Sequence, residues 1–119
     1  AVMEGVAFAL RDCMEALKKA GPCPNQLLAI GGGSRSRFWL ETIATTLNTA
    51  ITCPIDGEYG AAMGAARLAI LGKTDEPIKN ILSQPTISET IEPRSDLTDL
   101  YCEAFTKYKN APFHLKSIQ

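Results

Sequence analysis

The first twenty residues carry apolar side chains at the spacing of an α-helix. These positions recur every three or four residues, at Val6, Leu10, Cys13 and Leu17. Charged residues mostly fall on the other faces. Gly21, with a proline directly after it, is a common end for a helix. We therefore predict an amphipathic helix from about residue 2 to residue 20, with Cys13 on its buried face.

Two short apolar runs, at residues 27–30 and 51–53, are too brief for helices and predict buried strands. The segment between them has the pattern of a helix that Ser34 or Ser36 can cap. Its apolar face would consist of Phe38, Trp39, Ile43, Ala44 and Leu47. A strand, a helix and a strand in this order predict a βαβ unit, in which the two strands run parallel.

The second half of the chain predicts two helices separated by a long connection. Residues 60–71 are rich in glycine and alanine, which lets a helix approach its neighbour closely, and Gly72 is the expected end. Residues 73–95 contain three prolines and little periodicity, so no regular element is predicted there. A last helix is predicted from a cap at Asp96 to a stop at Pro112.

These elements place the chain in the α/β class and indicate that it is part of a larger unit. Two short strands cannot form a stable sheet without further strands. The first residue also offers no capping side chain to the helix that already runs there. We expect a truncated chain that exposes apolar surface and is less stable than a complete domain of its size.

Three consecutive glycines, Gly31, Gly32 and Gly33, stand between the first predicted strand and the second helix. This order directs unpaired backbone N–H groups and the positive end of the helix dipole at one point, where an anion is stabilised. Glycine is needed if a ligand must approach the backbone closely or if the turn has a positive φ. The alternative is an ordinary tight turn between a strand and a helix.

Side chains next to the glycines can add to such an anion site. Ser34 and Ser36 can donate hydrogen bonds from their hydroxyls, and Arg35 and Arg37 can supply charge or stack on a flat base. The spacing is neither the GxGxxG of dinucleotide folds nor that of a Walker A loop. Taken alone, the motif predicts an anion site without specifying the ligand.

Composition narrows the possible functions. Twelve basic and thirteen acidic residues nearly cancel, so the chain lacks the positive charge that favours nucleic acid or an anionic membrane. Four cysteines without a CxxC pair and a single histidine argue against a metal site. The N-terminal segment resembles neither a signal peptide nor a membrane span. We expect a cytoplasmic protein with reduced thiols, no nucleic-acid partner and no membrane partner.

Four other features have a simpler structural than functional interpretation. The Gly-Lys-Thr sequence at residues 72–74 imitates the end of a Walker A loop but follows a helix instead of opening one. Glu58 is expected to be a carboxylate that interacts favourably with the dipole at a helix N-terminus. Trp39 is expected to lie in the core. His114 has no carboxylate or cysteine pattern nearby and is expected in a solvated tail.

Three segments together resemble the C-terminal region of the FGGY family of carbohydrate kinases. They are Ala-Val-Met-Glu-Gly-Val-Ala-Phe at residues 1–8, Ile-Gly-Gly-Gly-Ser-Arg-Ser at 30–36 with Trp39, and Gly-Ala-Ala-Met-Gly-Ala-Ala-Arg-Leu-Ala at 60–69. Their order and separation also match that family, and the resemblance covers about residues 1–72. The first and third segments are most similar to xylulokinase-like members.

The resemblance implies an actin-like ATPase fold of two ribonuclease H-like domains, with a sugar and MgATP bound in the cleft between them. Residues 1–119 would be a partial C-terminal nucleotide-binding domain of such a kinase. The parent protein would phosphorylate a ketopentose, with D-xylulose as the expected substrate and D-xylulose 5-phosphate as the product. Family members are often dimers, so a homodimer is possible.

The resemblance also implies roles for the glycine loop. Gly32 and Gly33 would approach the ATP phosphates through their amides, while the two serines and Arg37 would lie beside the adenosine. Arg37 departs from the family pattern, because several relatives carry asparagine there. The small-residue helix would pack behind this pocket. The expected ATP-binding residues are thus Gly31, Gly32, Gly33, Ser34, Ser36 and Arg37.

Such kinases use an aspartate base to deprotonate the sugar hydroxyl, with Mg²⁺ stabilising the transferring phosphoryl group. By resemblance, that aspartate and a second phosphate loop lie before Ala1. No catalytic and no metal-binding residue is therefore expected among residues 1–119, and the chain alone is expected to be inactive. The alternative hypothesis is a non-catalytic nucleotide-binding or interaction module of the same fold.

Overall fold

The computed structural model describes residues 1–21, 24 and 26–116, with side chains up to residue 111. Its helices and strands are α1 (Val2–Ala20), β1 (Leu27–Leu28), α2 (Arg37–Leu47), β2 (Ile51–Pro54), α3 (Gly60–Leu71), α4 (Ile78–Ile81), β3 (Ile87–Ile91) and α5 (Thr98–Lys116). Short 3₁₀ helices precede α2, α3 and α5, at Gly32–Arg35, Gly57–Tyr59 and Ser95–Leu97. The predicted thiol of Cys23 and the predicted solvated side chain of His114 lie outside the described part.

The three strands form one sheet in the order β1-β2-β3. β1 and β2 are parallel, with Leu27 opposite Ile51, which confirms the predicted βαβ unit. β3 pairs antiparallel with β2 and places Ile91 opposite Ile51. The prediction that residues 73–95 lack regular structure is wrong. Only Ile91 of the five β3 residues is buried. The strand therefore lacks the alternation of apolar and polar residues from which a half-buried strand is predicted.

The core between the sheet and α2 is small. It consists of Leu40, Ala44, Ile51, Cys53 and Ile91. Burial is the main cause that raises the pKa of the Cys53 thiol. Leu28 and Ile30 remain 43% and 60% exposed, so the first apolar run is not the buried strand that its composition predicts.

α2 buries threonines where its pattern predicts aromatic residues. Phe38 faces solvent, whereas Thr42, Thr45 and Thr46 are buried. Each of these threonine hydroxyls donates to the backbone carbonyl four residues earlier, at 2.6–2.8 Å. Because the hydroxyl is satisfied within the helix, threonine can lie in this interface without an unpaired polar group.

α1 buries a different face from the predicted one. Ala7, Phe8 and Met14 are buried, whereas Cys13 is exposed, so its predicted burial is wrong. Phe8 contacts three rings of α5, with centroids 5.6–6.2 Å apart. The aromatic residues of α5 select this face, which leaves the stripe of Val6, Leu10 and Leu17 exposed.

α3 has the predicted bounds and ends at Gly72, whose N–H donates to the Leu68 carbonyl at 3.0 Å. The Thr74 hydroxyl donates to the Ile70 carbonyl at 3.0 Å. The Gly-Lys-Thr sequence is therefore a helix end, as predicted. No residue of α3 is buried in this chain.

α5 begins and ends later than predicted. It starts at Thr98, after the last 3₁₀ helix, and Asp96 pairs with Arg94 at 2.7 Å instead of capping the helix. The backbone continues through Pro112 to Lys116. Proline removes one hydrogen bond from a helix, but its fixed φ is compatible with helical backbone, so a helix can pass through it.

The chain has an elongated shape with a large surface. Its radius of gyration is 18.1 Å, whereas a compact chain of this length has roughly 13–14 Å. Its accessible surface is 8552 Å², against about 6,300 Å² for a compact protein of this size. The excess includes many large apolar side chains, which confirms the prediction of exposed apolar surface.

Candidate functional site

The glycine loop connects β1 to α2 and has one residue whose backbone requires glycine. Gly31 has φ 89° and ψ 176°, a region that is accessible essentially to glycine alone. Its N–H donates to the Gly57 carbonyl at 2.9 Å. Its carbonyl accepts from the Ser34 hydroxyl at 2.7 Å. Gly31 thus fixes the turn, and Ser34 holds it in place.

The loop leads into the N-terminus of α2. The Ser36 hydroxyl accepts from the Trp39 N–H at 3.3 Å, so of the two predicted caps, Ser34 and Ser36, it is Ser36 that caps the helix. In the described part of the chain, no hydrogen bond engages the N–H groups of Gly32 and Gly33. Two free amide donors therefore lie beside the positive end of a helix dipole, which favours an anionic ligand.

The structure itself does not require glycine at the second and third positions of the loop. A Cβ at Gly32 would meet no atom within 4 Å. A Cβ at Gly33 would meet Trp39 at 3.6 Å, an ordinary contact. Neither residue has a positive φ. Packing within this chain and backbone strain therefore do not explain these two glycines.

Trp39 lies against this loop and is only half-buried, so the prediction that it belongs to the core is wrong. Its indole ring borders a pocket of about 250 Å³. The pocket is lined by Val2, Met3, Val6, Gly33, Ser36 and Trp39. The contribution of α1 was not predicted from the sequence, because its apolar residues have the spacing of a buried helix face.

The two arginines of the loop are both engaged in ion pairs. The Arg35 Nε donates to the Glu58 carboxylate. This hydrogen bond is the main cause that lowers the pKa of Glu58 and raises that of Arg35. Arg37 pairs with Glu41 at 3.0 Å and with Glu89 at 3.2 Å. Glu58 thus has a specific partner in the glycine loop that sequence analysis did not identify.

The start of α3 lies next to the glycine loop, beside a second cleft. A Cβ at Gly60 would come within 3.3 Å of the Ile30 side chain, directly before the loop. A cleft of about 470 Å³ lies between α3 and the ends of β1 and β2. Ile55 and Met63 are among its apolar lining residues, and Arg67 is its cationic side chain.

Three aspartates of the described chain have structural surroundings. Asp12 pairs with Lys109 at 3.6 Å, Asp96 pairs with Arg94, and Asp56 occupies a turn with φ 57°. Within the described ranges, no group of three or more histidine, cysteine, aspartate or glutamate side chains could hold a metal ion. The same residues include no helix with the length and apolar character of a membrane span.

Comparison with known proteins identifies the family. Residues 1–72 match the C-terminal domain of the FGGY family of carbohydrate kinases. A xylulose kinase from Staphylococcus epidermidis is 35% identical over 113 residues, which cover 92% of this chain and 22% of that protein. A crystal structure of a xyloylose kinase from Brucella ovis is 44% identical with a TM-score of 0.85, covering 100% of this chain and 25% of that one. A gluconate kinase structure from Lactobacillus acidophilus has 28% identity and a TM-score of 0.72, covering 97% of this chain and 23% of that one.

The chain therefore belongs to the FGGY family of carbohydrate kinases, in the region of its C-terminal domain. The expected family and the expected actin-like ATPase fold are confirmed. The chain spans only about a fifth to a quarter of the length of its curated relatives.

Proposed function

We propose that this chain is the ATP-binding part of a carbohydrate kinase, and that the complete protein phosphorylates D-xylulose to D-xylulose 5-phosphate. Residues 1–119 are then a partial C-terminal nucleotide-binding domain. The catalytic base and the other phosphate loop belong to segments outside this chain. The substrate follows from similarity, because several relatives carry the name xylulose kinase.

The observation that carries the nucleotide role is the pair Gly32 and Gly33. Their N–H groups have no hydrogen-bond partner in the described chain, and the backbone would accommodate a larger residue at either position. A phosphate oxygen can accept from both amides only if no side chain blocks its approach. The same two residues therefore supply donors and the space that a polyphosphate needs.

The residues around this pair fit a nucleotide. The pocket beside Trp39 can hold the flat, largely apolar adenine, with Ser36 at its edge. The hydrogen bond from the Ser34 hydroxyl to the Gly31 carbonyl stabilises the turn. Arg37 contributes positive charge near the α2 N-terminus, although its guanidinium is already paired with two glutamates. When bound, MgATP supplies the transferred phosphoryl group.

The proposed site is tested with Gly32→Ala in the full-length protein that contains this chain. The added methyl group meets no atom of this chain, so the free energy of unfolding should stay within about 0.5 kcal/mol of wild type. It would occupy the space of the phosphates, so calorimetric titration with MgATP should show at least tenfold weaker binding. Gly21→Ala is the matched control, because its methyl group also meets no atom of this chain and Gly21 lines neither of the two pockets. Unchanged affinity in Gly32→Ala would refute the proposal.

Turnover tests the substrate. We expect MgATP-dependent phosphorylation of D-xylulose in preference to D-gluconate and glycerol. Gly33→Val should abolish this turnover. Gluconate belongs in the panel because a gluconate kinase shares the fold of this region. Binding of MgATP without turnover of any sugar would favour a non-catalytic nucleotide-binding or interaction module.

The proposal includes a cytoplasmic location and leaves a homodimer as a possible assembly. The described cysteines Cys13, Cys53 and Cys102 are free thiols, and disulfides are rare in the cytoplasm. The near balance of basic and acidic residues gives no reason to expect a nucleic-acid partner. Cell fractionation of the full-length protein checks the cytoplasmic location, and light scattering checks the homodimer.

A further inference from the structure

The glycine loop is joined to a second turn, residues 54–60, that leads from β2 into α3. The Gly31 N–H donates to the Gly57 carbonyl at 2.9 Å. Gly31 is also the residue with the positive φ that sets the direction of the loop. The position of the second turn therefore affects the point at which the glycine loop leaves β1.

The second turn fits closely against its neighbours. A Cβ at Gly57 would lie 2.8 Å from Pro54 Cγ and 3.2 Å from the Ala29 carbonyl oxygen. The proline ring is rigid, and the carbonyl belongs to the backbone two residues before Gly31. The turn therefore has little freedom to move relative to the base of the glycine loop.

One ion pair connects the glycine loop and the second turn. Arg35, the last residue of the 3₁₀ helix that begins at Gly32, donates from Nε to the Glu58 carboxylate. The Glu58 side chain is 23% exposed and that of Arg35 71%. The neighbouring Tyr59 side chain also contributes to the lowered pKa of Glu58, and Glu58 raises the pKa of Tyr59. Glu58 thus links Arg35 of the glycine loop to the second turn.

We infer that Arg35 and Glu58 are positioning residues, whose ion pair holds the 3₁₀ helix of the glycine loop in the conformation that presents the Gly32 and Gly33 amides to phosphate. The inference rests on the proposed nucleotide site. Its alternative is that Arg35 itself contacts the phosphates and that Glu58 competes for it. The two possibilities predict opposite effects of removing the Glu58 charge.

The test uses four variants of the full-length protein. They are Arg35→Gln, Glu58→Gln, the charge exchange Arg35→Glu with Glu58→Arg, and Arg94→Gln. The last is a matched control, because Arg94 also forms an exposed ion pair, with Asp96, in a different part of the chain. KM for ATP and kcat are measured with D-xylulose, and hydrogen exchange is measured for the amides of residues 31–36.

Arg35→Gln and Glu58→Gln should each raise KM for ATP by about two- to fivefold, the size that one exposed ion pair allows. The value of kcat should change less than twofold, because the bound complex still forms. Exchange of the loop amides should become faster in both single variants. The charge exchange should restore KM and exchange toward wild type, whereas Arg94→Gln should change neither.

Two results would overturn the inference. A Glu58→Gln variant with unchanged or lower KM would show that Glu58 does not position the loop. A large loss in Arg35→Gln that the charge exchange does not restore would assign Arg35 to direct phosphate contact. A wild-type protein that binds no MgATP would refute the proposed function instead. In that case hydrogen exchange alone would still decide whether the ion pair orders the loop.

Discussion

The turn between β2 and α3 provides a sharp test of the described packing, through the substitution Gly57→Ala. The new Cβ would lie 2.8 Å from Pro54 Cγ, 3.1 Å from Pro54 Cδ and 3.2 Å from the Ala29 carbonyl oxygen. Real Cβ atoms essentially never approach another atom as closely as the first of these distances. Because the obstacles are a rigid ring and backbone, the turn itself must shift.

The size of the effect follows from two opposing contributions. Forcing an extra methyl group into a filled space costs about 1–3 kcal/mol. Replacing glycine by alanine stabilises the folded state by roughly 0.4–1 kcal/mol, because the unfolded chain loses conformational freedom. With central values of about 2 and about 0.7 kcal/mol for these contributions, the net expected loss in the free energy of unfolding is about 1.3 kcal/mol. A shifted turn would also weaken the hydrogen bond from the Gly31 N–H to the Gly57 carbonyl.

Urea denaturation followed by far-ultraviolet circular dichroism measures this loss. The midpoint should fall by roughly 0.5–1 M at an unchanged m value. Gly64→Ala is the matched control: it lies inside α3, and its Cβ would meet nothing within 4 Å. This control should stabilise the protein by about 0.5–1 kcal/mol, because glycine is unfavourable inside a helix. A Gly57→Ala variant as stable as wild type would refute the described contact with Ala29.

Three further predictions concern the core, a helix cap and the pH dependence. Ile91→Ala should lower the free energy of unfolding by about 2–5 kcal/mol, because Ile91 is fully buried and leaves a cavity; a loss below about 1 kcal/mol in denaturant titration would contradict its place in the core. Ser36→Ala should cost about 0.5–2 kcal/mol through loss of the α2 cap, and Ser36→Gly should cost less than this in the same assay. The pKa of Glu58 is lowered from its ordinary value of 4.5, chiefly by Arg35. Its contribution to stability should therefore be present above pH 4.5 and be lost as the pH falls through the lowered pKa. Thermal melts of wild type and Glu58→Gln should accordingly differ at neutral pH and converge in acid, and a constant difference would contradict the pairing.

Sequence patterns predicted the elements whose signal is local. The bounds of α3 and its end at Gly72 are those that the small residues and the terminal glycine indicate. The cap at Ser36 is one of the two that the sequence offered, because a hydroxyl that accepts from the backbone N–H three residues later needs only its own segment. The parallel pairing of β1 and β2 follows from the order of strand, helix and strand.

The candidate site was only partly predictable. The glycine loop was identified because three glycines after an apolar run have few structural explanations. The residues that contact the loop were not identified, because Glu58 lies 23 residues from Arg35 in the sequence and no local pattern connects the two. Trp39 was assigned to the core on composition, yet it borders a pocket with the first turns of α1.

The sequence by itself predicted helices α1, α2, α3 and α5, the position of the glycine loop, and the family to which the chain belongs. These properties depend on local spacing and local backbone preference. The tertiary structure decided that Phe8, and not Cys13, faces the core, because only the packed α5 supplies rings for it. It also decided that residues 87–91 form a strand, because the hydrogen bonds that define β3 belong to its pairing with β2. Contacts between distant segments cannot be read from the period of either segment alone.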